Sequence, residues 1–175
     1  MKIKFILFLF FANIIAAMEI HISVENQELS LINNERVIKT YKISTSSYGE
    51  GSEEGSYKTP LGEHIVQKKI GDGVKIGGRF EGRVFNGEIY PIYLDDKIYA
   101  DGDVVQTRIL WLSGVEEGKN KGDGIDSFNR FIYIHGTPEE WLLGTKASKG
   151  CIRMSNKDVI ELYDLVREQT KVFIK

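Results

Sequence analysis

Asn129-Arg130-Phe131-Ile132-Tyr133-Ile134-His135-Gly136-Thr137 decides how this chain is read. Its centre is a run of aromatic and β-branched residues, the composition of a buried strand. The run ends in a histidine followed by a glycine. The pattern therefore predicts a strand over 129–134 that carries His135 at its tip.

The same alphabet extends upstream. Glu19–Val24 alternates apolar and polar residues, the period of a half-buried strand. Gln27–Ile32 and Arg36–Ile43 follow, the latter two joined by Asn33-Asn34, so three strands in an antiparallel meander are expected. Ser44–Lys58 is polar and glycine-bearing, a loop that closes in the turn Thr59-Pro60-Leu61-Gly62. Glu63–Ile70, Glu88–Leu94 and Thr107–Val115 are further strand candidates. Pro91 confines the second of these to an edge or a bulge. Gly118–Ser127 reads as a charged surface loop.

Downstream, Pro138–Gly144 has the Pro and acids of a short helical turn with Gly at its end. Asn156–Gln169 is the one convincing helix. Ser155 can cap it with Asp158 three residues on, and Val159, Leu162, Tyr163 and Val166 fall on one face. Lys171–Ile174 closes as a strand. Eighteen glycines, three prolines and one helix in 175 residues point to a single, mainly β domain with short helical turns.

Composition is that of a globular protein, 42% hydrophobic and 27% charged. A net charge of −2 gives no footprint for nucleic acid or an anionic membrane surface. Lys2 and Lys4 precede the apolar run Phe5–Ala17, which is interrupted only by Asn13. That run is shorter than the roughly 20 residues of a membrane span, so residues 1–17 read as a secretory signal peptide. The folded domain is then 18–175, exported to the periplasm or cell envelope, with no stable membrane insertion after cleavage. Its charge would be near −4, with 21 basic against 25 acidic residues.

Export makes the chemistry of the single cysteine notable. Cys151 lies in Ala147-Ser148-Lys149-Gly150-Cys151-Ile152-Arg153-Met154 and has no partner for an intramolecular disulfide. Alone it is equally a reactive thiol or a buried structural one. Its neighbours favour reactivity. His135 at a strand end could act as general base, with the Gly136 carbonyl fixing its tautomer. Gly150 permits a sharp turn, and the N–H groups of Lys149, Gly150 and Cys151 could face a developing oxyanion. Arg153 would share a face with Cys151 if the segment is extended, and could bind a substrate carboxylate. Ser148 could bond His135 or substrate, or simply shape a turn. Tyr57 and Tyr48 border the Thr59-Pro60 turn and could line a peptide cleft. The residues alone support a thiol acyltransferase or hydrolase, with no indication of substrate.

His135-Gly136-Thr137 followed by Ser148-Lys149-Gly150-Cys151-Ile152-Arg153-Met154 resembles the signature of the YkuD-like L,D-transpeptidase catalytic domain. Gln27-Glu28-Leu29, Ile43-Ser44-Thr45, the glycine loop between Gly49 and Gly55, and Thr59-Pro60-Leu61-Gly62 match further blocks in order. One position departs: Lys149 stands where the family usually has His. Its charge should favour the thiolate. The resemblance implies a β-sandwich-like domain with an open active-site face and no metal or organic cofactor. It also implies peptidoglycan stem peptides as substrate. Cys151 would attack the bond between diaminopimelate and the terminal D-Ala and form a thioester. An amine, from a second stem or an acceptor protein, would resolve it. Hydrolysis of the same thioester would make an L,D-carboxypeptidase. An inactive peptidoglycan-binding module is the reading from another class, and the intact Cys151, His135 and Arg153 argue against it.

Overall fold

A computed structural model describes residues 18–175; the expected signal peptide lies outside them. Ten strands and one α-helix follow one another in chain order. The first three, β1 (Met18–Ser23), β2 (Glu28–Asn33) and β3 (Arg36–Ser44), form the antiparallel meander expected from the alternation of their side chains. Then come β4 (Gly62–Ile70), β5 (Gly78–Glu81), β6 (Val84–Ile89), β7 (Val105–Gly114), β8 (Tyr133–Gly136), β9 (Ile152–Met154), α1 (Asn156–Leu165) and β10 (Lys171–Ile174).

All ten strands belong to one sheet, ordered β4-β10-β1-β2-β3-β9-β8-β7-β5-β6. Because β4 also pairs with β7, the sheet closes on itself from β4 round to β7. The two layers of the expected sandwich are thus opposite walls of one closed sheet. Closure removes most of the free edges that an open sheet would expose. Two pairings are parallel, β1 with β10 and β8 with β9, and the second of these holds the site.

The main core gathers the inward residues of these strands, among them Ile20, Ile22, Leu29, Leu31, Ile43, Leu110, Leu112, Ile134, Ile152 and Met154. Each is fully buried or nearly so, a contribution of about 2 kcal/mol per side chain. Helix α1 packs against β7 and β8. Its predicted stripe of Val159, Leu162 and Tyr163, with Val166 just beyond, joins the same core. Ser155 caps the helix by accepting the Asp158 N–H at 3.0 Å, as its sequence position suggested.

Three expectations need correction. The helix stops at Leu165, not Gln169, because Val166 is extended (φ −110, ψ 159) and buried. Lys69 Nζ donates to the Tyr163 and Val166 carbonyls at 2.6 and 2.7 Å, supplying partners that further turns would otherwise provide. The strand carrying His135 begins at Tyr133, not Asn129. The preceding residues make tight turns, with Arg130 N–H bonded to Asp126 O and Phe131 at φ 59. The Glu88–Leu94 candidate ends at Ile89, where Pro91 follows too closely for the ladder to continue. It pairs with the unanticipated β5 through a tight turn at Gly82-Arg83, both at positive φ.

Candidate active site

Two adjacent parallel strands build the site. β8 and β9 pair in the register Ile134 to Ile152, His135 to Arg153 and Gly136 to Met154. Side chains alternate along a strand. Ile134, Ile152 and Met154 therefore enter the main core. Tyr133, His135, Arg153 and, one residue before β9, Cys151 share the opposite face. Tyr133 and Cys151 there join a second cluster with Phe80, Ile109 and Trp111. The extension expected around Arg153 is thus present.

The nucleophile turn is held from several sides. Gly150 has φ +117, and a Cβ there would stand 3.3 Å from the Lys58 carbonyl oxygen. Only glycine meets both demands without strain. The Thr59 hydroxyl donates to the Gly150 carbonyl at 3.0 Å, tying the Thr59-Pro60 turn to the cysteine loop. Ser148 is fully buried. Its hydroxyl donates to the Cys151 carbonyl at 2.6 Å and accepts the Gly150 N–H at 3.3 Å. Ser148 thus shapes the turn, and its hydroxyl hydrogen-bonds within that turn, not to His135. One of the three suggested oxyanion donors, Gly150 N–H, is already engaged by that hydroxyl. The N–H groups of Lys149 and Cys151 carry no hydrogen bond among the described residues.

His135 is fully buried and its Nδ1 lies 2.8 Å from the Gly136 carbonyl. A carbonyl only accepts, so Nδ1 carries the proton and Nε2 presents its lone pair. Nε2 is buried and has no partner. Gly136 can occupy its place because it lacks a Cβ, which would collide with Asn156 Oδ1. Asn156 in turn accepts from the Thr107 hydroxyl and donates to Thr137 O and Glu140 Oε1 at 2.7 and 2.9 Å. It thereby ties β7, the end of β8 and the start of α1 together beneath the histidine.

Cys151 keeps part of its surface open. Its Sγ accepts the Tyr133 N–H and donates to the Phe131 carbonyl, both at 3.4 Å. The resting thiol proton is thus directed at Phe131, not at the histidine. Burial pushes the thiol up to about 12, and the Asp103 carboxylate adds to this, against the Tyr133 N–H, Arg153 and Arg130. The expected thiolate-favouring effect of Lys149 is not what governs this sulfur. Burial also lowers His135 below the ordinary imidazole value, with Asp103 and the Gly136 carbonyl opposing. Near pH 7 the sheet face carries a neutral thiol and a neutral imidazole.

Arg153 is buried, and its guanidinium donates to Glu139 Oε2 at 2.7 Å and to Asp103 Oδ1. The cation expected to take a substrate carboxylate is held by two carboxylates of the chain itself. Burial works against charge on Asp103, but Arg153, His135 and Lys149 together keep its carboxyl below the usual range. Glu139 also accepts the Ala100 N–H at 3.0 Å, so the irregular segment 100–103 is fastened over the site at both ends. Tyr57 is exposed, at φ 58, and lines a crevice with Arg130, Phe131 and Lys149; its ring lies 5.6 Å from that of Tyr48. Among the described residues no group of three His, Cys, Asp or Glu side chains is arranged to hold a metal ion.

Asp103, Glu139, Asn156 and Arg130 are the site residues that sequence reading missed. Asp103 is fifty positions from Arg153 in an acidic loop without periodicity, and no local signal marks it. Arg130, read as part of a strand, instead donates to Gly51 O and Lys58 O at 3.3 and 2.8 Å and braces the Tyr57 loop.

A family model described as the L,D-transpeptidase catalytic domain, YkuD, matches residues 17–174. YkuD of Bacillus subtilis (strain 168) is 56% identical over 41 residues, which are 23% of this chain and 25% of that protein. The fold is similar to L,D-transpeptidase 3 of Mycobacterium tuberculosis, solved in complex with a faropenem-derived adduct, with a TM-score of 0.54 at 17% identity. That match covers 91% of this chain and 60% of the other. An L,D-transpeptidase from Mycobacterium smegmatis gives 0.53 at 15% identity, covering 91% and 59%. At such identities the likeness is one of fold. The chain spans about three fifths of those structures and matches a quarter of the length of the Bacillus relative.

Proposed function

The chain belongs to the L,D-transpeptidase catalytic-domain (YkuD) family, and on that premise we propose that it is an exported cell-envelope enzyme that transfers peptidoglycan stem peptides through a thioester on Cys151. One observation carries the reading. On one face of a parallel strand pair the only thiol of the chain stands with an imidazole whose Nδ1 is fixed and whose Nε2 is buried without a partner. A buried orphan acceptor costs stability, and a base waiting for a proton explains its retention.

The chemistry starts from the neutral pair. Sγ attacks the carbonyl carbon between diaminopimelate and the terminal D-Ala while its proton passes to Nε2 of His135. The Lys149 and Cys151 N–H groups receive the oxyanion. Collapse breaks the C–N bond, the imidazolium returns its proton to the leaving nitrogen, and free D-Ala departs from the thioester. An acceptor amine then attacks the thioester carbonyl and loses a proton to His135; the C–S bond breaks, and the departing thiolate regains that proton from the imidazolium. Asp103, coupled to His135, stabilises the imidazolium while it lasts.

Digestion of purified sacculi with the mature protein and separation of the muropeptides tests the proposal. New 3→3 dimers are expected. Tripeptides without dimers would reassign the chain as an L,D-carboxypeptidase, and an unchanged profile would make it a binding module.

A further inference from the structure

Lys149, two residues before Cys151, lines two crevices. It lines one with Tyr99, Glu139 and Arg153 and the other with Tyr57, Arg130 and Phe131. The residue is exposed. The other cations lining these crevices are already engaged. Arg153 is held by Asp103 and Glu139, and Lys146 pairs with Glu50 at 2.6 Å. Arg130 directs its donors at Gly51 O and Lys58 O. Among the described residues no carboxylate lies within ion-pair distance of Lys149. The side chain two residues before the cysteine therefore presents to both crevices an ammonium that has no ion pair and acts on Asp103 only at longer range.

We infer that Lys149, not Arg153, takes a carboxylate of the donor stem and so sets which stems acylate the thiol. The inference rests on the stem-peptide reading above. A lysine ammonium on a flexible stalk suits a single, partly solvated carboxylate, whereas the two arms of the Arg153 fork are each taken by a carboxylate of the chain. Two free carboxylates of this kind flank the scissile bond of the proposed donor. One belongs to the leaving D-residue, two bonds beyond the scissile nitrogen; the other belongs to the free end of the diamino acid. Both would meet the same ammonium, from one crevice or the other.

Acylation and release of the terminal residue are followed with three synthetic tetrapeptides: the unmodified stem, its C-terminal carboxamide and its diamino-acid carboxamide. Each is tested with wild type, Lys149→Gln and Lys149→Arg. A charge-assisted contact of this kind supports about a tenfold difference in kcat/KM. Wild type should lose about tenfold on one carboxamide, and the amide affected identifies which carboxylate is read. Lys149→Gln should lose the same factor on the unmodified stem and nothing more on that amide. Lys149→Arg should keep the discrimination, and added salt should shrink it. Discrimination by Lys149→Gln equal to that of wild type, or equal turnover of all three peptides by wild type, would overturn the inference. Failure of wild type to act on any of them would instead sink the stem-peptide reading on which it stands.

Discussion

The molecule buries two imidazoles that differ in one atom's surroundings. His64 and His135 are both inaccessible to solvent, and each donates from Nδ1 to a backbone carbonyl, Gly62 O at 3.0 Å and Gly136 O at 2.8 Å. Burial depresses both below the ordinary imidazole value. At His64 the remaining nitrogen accepts from the Ser127 hydroxyl at 3.0 Å. At His135 the remaining nitrogen has nothing. Burial and a lowered pKa therefore do not distinguish a base from a strut. In the proposed mechanism the difference lies in the unpartnered Nε2, on the sheet face that also carries the only thiol.

The comparison can be broken most sharply by exchanging the effects. Substituting His135→Ala should slow acylation of Cys151 by about 10²–10⁴-fold at neutral pH, read by stopped-flow with a carbapenem. Unchanged kinetics would remove His135 as base. His64→Ala should leave that rate within a small factor but cost about 2–3 kcal/mol in urea unfolding, because Ser127 and Gly62 lose their partner inside the protein. A loss of acylation without a loss of stability would place His64 in the mechanism.

The pH dependence of stability sharpens the same contrast. Folded His64 is lowered to about 4, against an unfolded value near 6.5. Below about pH 6.5 the unfolded chain takes up the proton first, so stability falls as pH drops from there toward 4. The full loss from this group is about 3 kcal/mol. His135, also lowered, acts in the same direction. Urea midpoints measured between pH 7 and pH 4 should slope downward, and His64→Gln should flatten the slope. An unaltered slope in that variant would mean the neutral imidazole is not what the fold holds. The smallest expected effect is at Asp103, which helps to keep the thiol protonated. In Asp103→Asn the pH profile of Cys151 alkylation should move to lower pH; a profile at or above that of wild type would contradict the electrostatics of the site.

Much of this was legible in the residues because it is local. The meander follows from the alternation between Glu19 and Ile43, the helix start from Ser155, and the histidine at a strand end from the apolar run before Gly136. The Gly150 turn and the Gly136 carbonyl on Nδ1 were also readable, since both depend on neighbours in sequence. What was not legible is long-range. Nothing near Arg153 indicates that Asp103 and Glu139 neutralise it, and nothing near Gln169 indicates that Lys69 closes the helix from β4. The β5–β6 hairpin escaped because its first strand is four residues long and begins on the second glycine of Gly77-Gly78. A side chain's chemical type announces what it could bind. Its partner, chosen by the fold, decides what it does bind.

The central claim is that Cys151 receives the acyl group. It is tested most directly by incubating the purified protein with a carbapenem, weighing the intact protein and mapping the modified peptide. The account predicts one adduct in wild type, located on Cys151, and none in Cys151→Ala. An adduct retained by Cys151→Ala would contradict it.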